Sequence, residues 1–208
     1  ITIIVFGGPI ANELAKRVFS QQKSTGLVLD FDGSFSGEDG ESGFESGLSF
    51  VPGYRGRGVL FDQEDSLYYP TEDNINKDHG ALEFWLKPAW DGDDGGSYVF
   101  FEIGDEWFNR MRIIKDGAST FRFMVWSSQV EYDAACSVAD WSLGEWHHVR
   151  AIWKDGTSSL YLDEEICDTQ TFVVMPEFLS TRLFIGSSAQ RDLQAQAVID
   201  EFSISPEP

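Results

Sequence analysis

Glu102, Asp105 and Glu106 fall within five residues of one another. Clustered carboxylates are the raw material of glycoside hydrolysis, which needs two of them facing the sugar, roughly 5–10 Å apart. On a strand, positions i, i+2 and i+4 would present them on one face. Here the middle position is Gly104 and Asp105 has the opposite parity, so no facing pair results. Asp163, Glu164, Glu165 and Asp168 cluster in an expected turn. No Gly-x-Ser-x-Gly nucleophile elbow occurs. The acids therefore argue against an enzyme. His147 and His148 are adjacent on an expected strand and point to opposite faces, so they do not readily share one metal ion. His79 falls in an expected loop.

Two other acidic features stand out. Asp200 shares strand parity with Val198, Phe202 and Ile204. An ionised carboxylate on an apolar face is costly unless it is paired or metal-bound. Asp91–Gly96 (DGDDGG) is acid-rich but lacks the spacing of an EF-hand loop. It reads as a solvated hairpin tip, with a cation site as the alternative.

The elements that must position these residues read as β. After Thr25, short runs alternate apolar and polar residues, as in Thr120–Trp126, where Phe121, Phe123 and Val125 share one face. Asp91-Gly92, Asp116-Gly117 and Asp155-Gly156 separate such runs, which is hairpin chemistry. About thirteen short strands without helical alternation imply an all-β antiparallel sandwich or jelly roll. Residues 32–49, rich in Gly, Ser and acids, read as a long surface loop. Residues 1–24 differ from the rest. Thr2–Phe6 reads as a strand, Gly7-Gly8-Pro9 ends it, and Ile10, Leu14, Val18 and Phe19 recur at helical spacing. The chain opens on Ile1 and reads as a mature segment that packs against something.

Composition narrows the partners. The 208 residues carry 35 acids and 15 bases, a net charge of −20. A phosphate backbone needs a Lys/Arg footprint, and none is visible, so nucleic acid is excluded as a default partner, as is an anionic membrane surface. With 17 Phe, 7 Trp and 6 Tyr, the chain is too aromatic for an acidic disordered segment. No apolar run is long enough for a transmembrane helix.

Four blocks resemble a known family. They are Gly58–Pro70 (GVLFDQEDSLYYP), Gly80–Gly92 (GALEFWLKPAWDG), Gly144–Gly156 (GEWHHVRAIWKDG) followed by Ser159–Asp163 (SLYLD), and Ile185-Gly186 with Val198–Phe202 (VIDEF). In this order they resemble laminin-G-like jelly rolls of the concanavalin A-like lectin/glucanase superfamily. The resemblance covers about residues 25–205, so the chain divides into an extension, 1–24, and a jelly-roll domain, 25–208. It implies a secreted or cell-surface module that binds glycans or surface proteins. Some relatives carry structural calcium, which would use Asp62 and Asp200 here. The surface setting implies a disulfide between Cys136 and Cys167. Trp85, Trp146 and Trp153 lie in the matching blocks and are expected in the core. Trp90, Trp107, Trp126 and Trp141 lie near expected loops or on polar faces, and are the candidates for stacking on a sugar ring. The alternative function is a self-assembling filament subunit, joined by adding the strand of Ile1, Ile3, Ile4, Val5 and Phe6 to a neighbouring copy. A glycan-cleaving enzyme comes third.

Overall fold

The computed structural model describes residues 26–104 and 108–207. Among these, fifteen strands, β1 to β15 in chain order, form two antiparallel sheets packed face to face. The larger sheet runs β13 (Glu165–Thr171), β12 (Thr157–Leu162), β11 (His147–Lys154), β6 (Gly80–Pro88), β15 (Ala197–Ser205), β4 (Arg57–Phe61) and β3 (Ser49–Pro52), with β1 (Leu27–Leu29) also pairing with β15. The smaller sheet runs β10 (Val130–Ser137), β9 (Thr120–Ser127), β8 (Asn109–Lys115), β7 (Tyr98–Ile103), β14 (Arg182–Ile185), β5 (Ser66–Pro70) and β2 (Phe44–Ser46). This is the expected all-β jelly-roll sandwich. The expected strand and helix of residues 1–24, including Ile1, Ile3, Ile4, Val5 and Phe6, lie outside the described residues.

Period-two alternation builds the core. Phe84 and Leu86 of β6, Val149 and Ala151 of β11, and Phe121, Phe123 and Val125 of β9 all face inward at 0–1% exposure. Burying each large side chain contributes about 1.5–3 kcal/mol relative to leaving it exposed. The turns follow the sequence signals in part. Asp155 (φ 50°) and Gly156 (φ 74°) join β11 to β12 with both central residues left-handed, as the Asp-Gly pair requires. Ser128-Gln129 and Asp163-Glu164 make the same kind of turn without glycine.

Residues 32–49 are not simply a solvated loop. They contain β2 and lead into β3, and Phe35, Leu48 and Phe50 pack on the core. The strands are too short, and the glycines around them too many, for alternation to reveal them. Between Phe44–Ser46 and Ser49–Pro52 the chain crosses from the smaller sheet to the larger, closing that side of the sandwich. The opposite side is closed by β10 and β13, the outer strands of the two sheets. Cys136 and Cys167 form a disulfide across it, with Cα atoms 6.0 Å apart. Cys167 is the extra residue where the β12–β13 register slips, a bulge that turns it out of the ladder and toward β10. Beside it, Asp168 accepts the Ala135 N–H at 3.0 Å.

That carboxylate sets a pH limit. The N–H of Ala135, then those of Gln170 and Thr169, hold Asp168 below the usual carboxylate range. For Asp116, burial pushes upward, but hydrogen bonds from Arg122, Thr120 and Ala118 outweigh it and the group is also lowered. A lowered carboxylate stabilises the fold above its unfolded-state pKa, and that contribution is lost as pH falls through the folded-state value. The melting temperature is therefore expected to fall as pH drops below the ordinary Asp value of 3.8. Asp168→Asn should flatten part of that drop, as read by thermal melts across the acid range; an unchanged slope contradicts the assignment.

At the start of the domain, β1 lies antiparallel to the end of β15, Leu27 opposite Ile204. A Cβ on Gly26 would sit 2.8 Å from the Ile204 carbonyl oxygen, so Gly26 runs close against the end of β15.

Candidate functional site

Trp85 stands at the middle of the outer face of the larger sheet. Cross-strand register places around it the residues that share that face. His148, Trp85 and Asp200 form one rung across β11, β6 and β15, and Arg150, Glu83, Ser203 and Val28 form the next, reaching β1. Trp85 stacks on Tyr54 with ring centroids 3.6 Å apart and planes 7° apart, and His148 lies 5.0 Å from its ring. Tyr54 meets the edge of Trp146, over which the Lys87 ammonium sits at 5.8 Å. Trp85 and Trp146, expected in the core, are instead half-buried on the outer face. Trp153 is core, 1% exposed.

A groove of about 340 Å³ runs beside this aromatic wall. Trp85 and His148 form its apolar side. Asp30, Glu38, Glu83, Glu201, Arg55 and Ser203 supply hydrogen-bonding groups. Glu83 has Arg150 at 3.6 Å and His148 at 3.9 Å, and Arg55 reaches Glu201 at 3.7 Å. Burial and the neighbouring Asp200 push the Glu201 carboxyl up, against the opposing pull of Arg55.

Asp200 is what holds Tyr54 and Arg55 in place. Its carboxylate accepts the N–H of Arg55 at 2.9 Å and of Glu201 at 2.8 Å, and that of Tyr54 as well. The loop that donates these bonds, Gly53–Gly56, joins β3 to β4 and lies over the carboxylate. A Cβ on Gly53 would sit 2.5 Å from Asp200 Oδ2, so only glycine admits the approach. Asp32 grips the other side of the loop, accepting the Arg57 N–H at 2.8 Å. Burial pushes the Asp200 carboxyl up, and the three backbone donors oppose that push.

The expected apolar environment of Asp200 needs correction. A bulge between Asp200 and Ser203, with Glu201 at φ 49°, shifts the parity of β15. Phe202 and Ile204 face the core, whereas Asp200 faces outward with Val198 and is 0% exposed because the loop covers it. Nor do Asp62 and Asp200 converge on a calcium ion. Phe61 pairs with Ala197, so Asp62 lies four ladder positions from Asp200, roughly 13 Å at strand spacing. Asp62 is exposed and accepts the Gln63 N–H. Among the described residues, no group of three or more His, Cys, Asp or Glu is placed to hold a metal.

Of the tryptophans proposed as sugar platforms, Trp90 and Trp141 are buried, 4% and 8% exposed. Trp90 stacks on Tyr98 and donates to the Ala195 carbonyl. Trp141 stacks on His147 at 3.7 Å. Rings covered in this way present no face to a ligand. Trp126 is half-buried on the outer face of the smaller sheet, level with Arg110. Trp107 lies outside the described residues. Glu102 is fully buried and bound by Arg112 and the Ala189 N–H. His147 and His148 take opposite faces as expected; His147 meets Asp163 at 2.9 Å.

The sequence matches the Laminin_G_3 family model over residues 61–208. The chain belongs to the concanavalin A-like lectin/glucanases superfamily. Solved structures agree in fold. Domain 4 of AbnA, a GH43 extracellular arabinanase from Geobacillus stearothermophilus in complex with arabinotriose, superposes with a TM-score of 0.70 at 14% identity, over 87% of this chain and 91% of that one. The botulinum neurotoxin serotype D binding domain superposes with a TM-score of 0.69 at 11% identity, over 88% of this chain. The binding domain of botulinum neurotoxin DC in complex with rat synaptotagmin II gives 0.66 at 12% identity, over 87%. This laminin-G-like chain spans about half the length of those toxin domains, 48% of the serotype D structure. No curated protein matches the sequence. Among the described residues, no helix is long and apolar enough to cross a membrane.

Proposed function

We propose that residues 25–208 form a non-catalytic glycan-recognition module, with residues 1–24 as an extension, and that the Trp85 groove is its binding site. The observation that carries this reading is the juxtaposition of an aromatic wall with a dense set of side-chain donors and acceptors along one groove. Sugars present apolar ring faces and many hydroxyls, so a partly exposed aromatic surface beside fixed polar groups matches both. Similarity of fold to a domain solved with arabinotriose supports a saccharide ligand. The Cys136–Cys167 disulfide supports an oxidising, secreted or cell-surface setting. A binding role rather than cleavage is supported by the pairing of the groove's acids, Glu83 with Arg150 and Glu201 with Arg55.

The test is calorimetric titration with neutral oligosaccharides, arabinotriose among them, chosen after a glycan-array screen. Trp85→Ala and Glu83→Gln are each expected to weaken binding about tenfold or more, equivalent to about 1.4 kcal/mol. Circular dichroism melts check that both variants fold. Unchanged affinity in both, or no saturable binding to any saccharide on the array, would falsify the assignment. Release of shorter products would replace it with an enzyme.

A further inference from the structure

The outer face of the smaller sheet carries a second arrangement that the Trp85 groove does not use. Phe44 of β2 stacks on Tyr68 of β5 at 4.8 Å, and Phe184 of β14 follows at 5.6 Å. These rings come from three neighbouring strands in register, Phe44 opposite Tyr68 and Tyr68 opposite Phe184. Phe44 is 58% exposed, so the ladder ends in an open aromatic face. The guanidinium of Arg182 lies over Tyr68 at 4.9 Å. Beside it opens a cleft of about 380 Å³, lined by Ser180, Thr181, Arg182, Phe184, Ala189 and Gln190.

Both rims of this cleft are fixed by bonds to the fold. Thr71 holds one, donating its N–H to the Thr181 carbonyl and its hydroxyl to the Ser180 carbonyl. The buried Glu102 holds the other, accepting the Ala189 N–H at 3.0 Å while Arg112 neutralises it. Arg112 and Arg122 on this face are paired with Glu102, Asp116 and Asp133. Arg182 is different. It is exposed, held by an aromatic ring, and no described carboxylate lies within ion-pair distance of it. In a chain of net charge −20, a guanidinium at a cleft mouth with no ion-pair partner among the described residues is a local reversal of sign.

We propose that this cleft is a second binding site, and that its ligand is a saccharide bearing an anionic group, a carboxylate or a sulfate ester. Arg182 receives the anion through its planar fork of donors. Ser180, Thr181 and Gln190 accept and donate to hydroxyls, and the Phe44 face receives a neighbouring sugar ring. Charge separates the two sites: four carboxylates line the Trp85 groove and repel such a ligand, and among the described residues none lines this cleft.

The experiment titrates the whole chain with tri-galacturonate, with its neutral methyl ester, and with a heparin-derived sulfated disaccharide. At least one anionic probe is expected to bind, more weakly as salt rises, and the methyl ester at least tenfold more weakly than the acid if the uronate is the one bound. Arg182→Ala should lose tenfold or more, Arg182→Lys should recover part of that loss, and Phe44→Ala should weaken binding without changing its salt dependence. Trp85→Ala should leave it unchanged, which keeps failure here separate from failure of the Trp85 groove. Binding of the sulfated probe alone identifies the anion as a sulfate ester. Equal binding of acid and ester, no binding of either anionic probe, or full affinity in Arg182→Ala would overturn the proposal.

Discussion

Replacing Asp94 with alanine is expected to lower the unfolding free energy by about 3–5 kcal/mol, the loss typical of a buried charge left without its partner. The reason lies at Lys115. This residue ends β8 on the inward face and is 0% exposed. Its ammonium donates to Asp94 and to the Gly96 carbonyl at 3.1 Å, and it lies over the rings of Trp90 and Tyr98 at 5.3 and 5.4 Å. Tyr98 also donates to Asp94. Burial pushes the Asp94 carboxyl up, but the bonds from Lys115, Tyr98 and Gly96 outweigh it and hold the group below the usual range. The two partners are not equivalent. The Asp94 side chain is 25% exposed and could hydrate alone, whereas Lys115 could not. Lys115→Met should therefore cost markedly less than Asp94→Ala. Urea unfolding of the two variants measures the ranking, and equal losses would refute the account. The acid-rich loop thus binds a cation, and that cation is the chain's own lysine.

Removing the disulfide, as in the double variant Cys136→Ser, Cys167→Ser, should cost about 3–4 kcal/mol. The bond closes a loop with a sequence separation of 31 residues, for which loss of closure entropy in the unfolded chain gives about that value. The position adds a second effect. Cys136 and Cys167 sit on the outermost strands of the two sheets, so without the bond β10 and β13 are held to each other mainly by the Asp168–Ala135 contact and local packing. Exposed outer strands offer unpaired N–H and C=O groups to other chains. The variant is accordingly expected both to melt earlier and to aggregate on heating. Calorimetry of wild type with and without reductant should reproduce the shift; a melting temperature indifferent to reductant would mean the bond contributes little.

Strand periodicity made the sandwich legible, and the four sequence blocks made the family legible, because buried alternating faces and Asp-Gly turns are local signals. The site was less legible, and bulges are the main reason. One extra residue in β15 moved Asp200 to the outer face, and one in β13 aimed Cys167 at β10. Neither shift has a composition of its own. Trp90 and Trp141 sit near turns in the sequence, yet those turns fold back over the end of the core. Tyr54 drew no attention, although Gly53 and Gly56 on either side of it marked a tight loop. Its partners come from β6, 31 residues away, and from Asp200, 146 residues away, and such distant pairings leave no trace in local spacing.

The pairing of β1 with the end of β15 determines how the domain responds to load. Its three rungs run from Leu27–Ile204 to Leu29–Phe202, so Leu27 and Ser205 lie at the same end of the ladder. Tension drawn across Leu27 and Ser205 therefore opens the rungs in succession, as a zipper, rather than shearing them together. Each step is resisted by one cross-strand pair, so β1 peels away at low force while β6 and β4 still clasp β15. Because Val28 and Asp30 line the Trp85 groove, that groove opens as β1 peels, while the outer face of the smaller sheet, which β1 does not touch, stays folded.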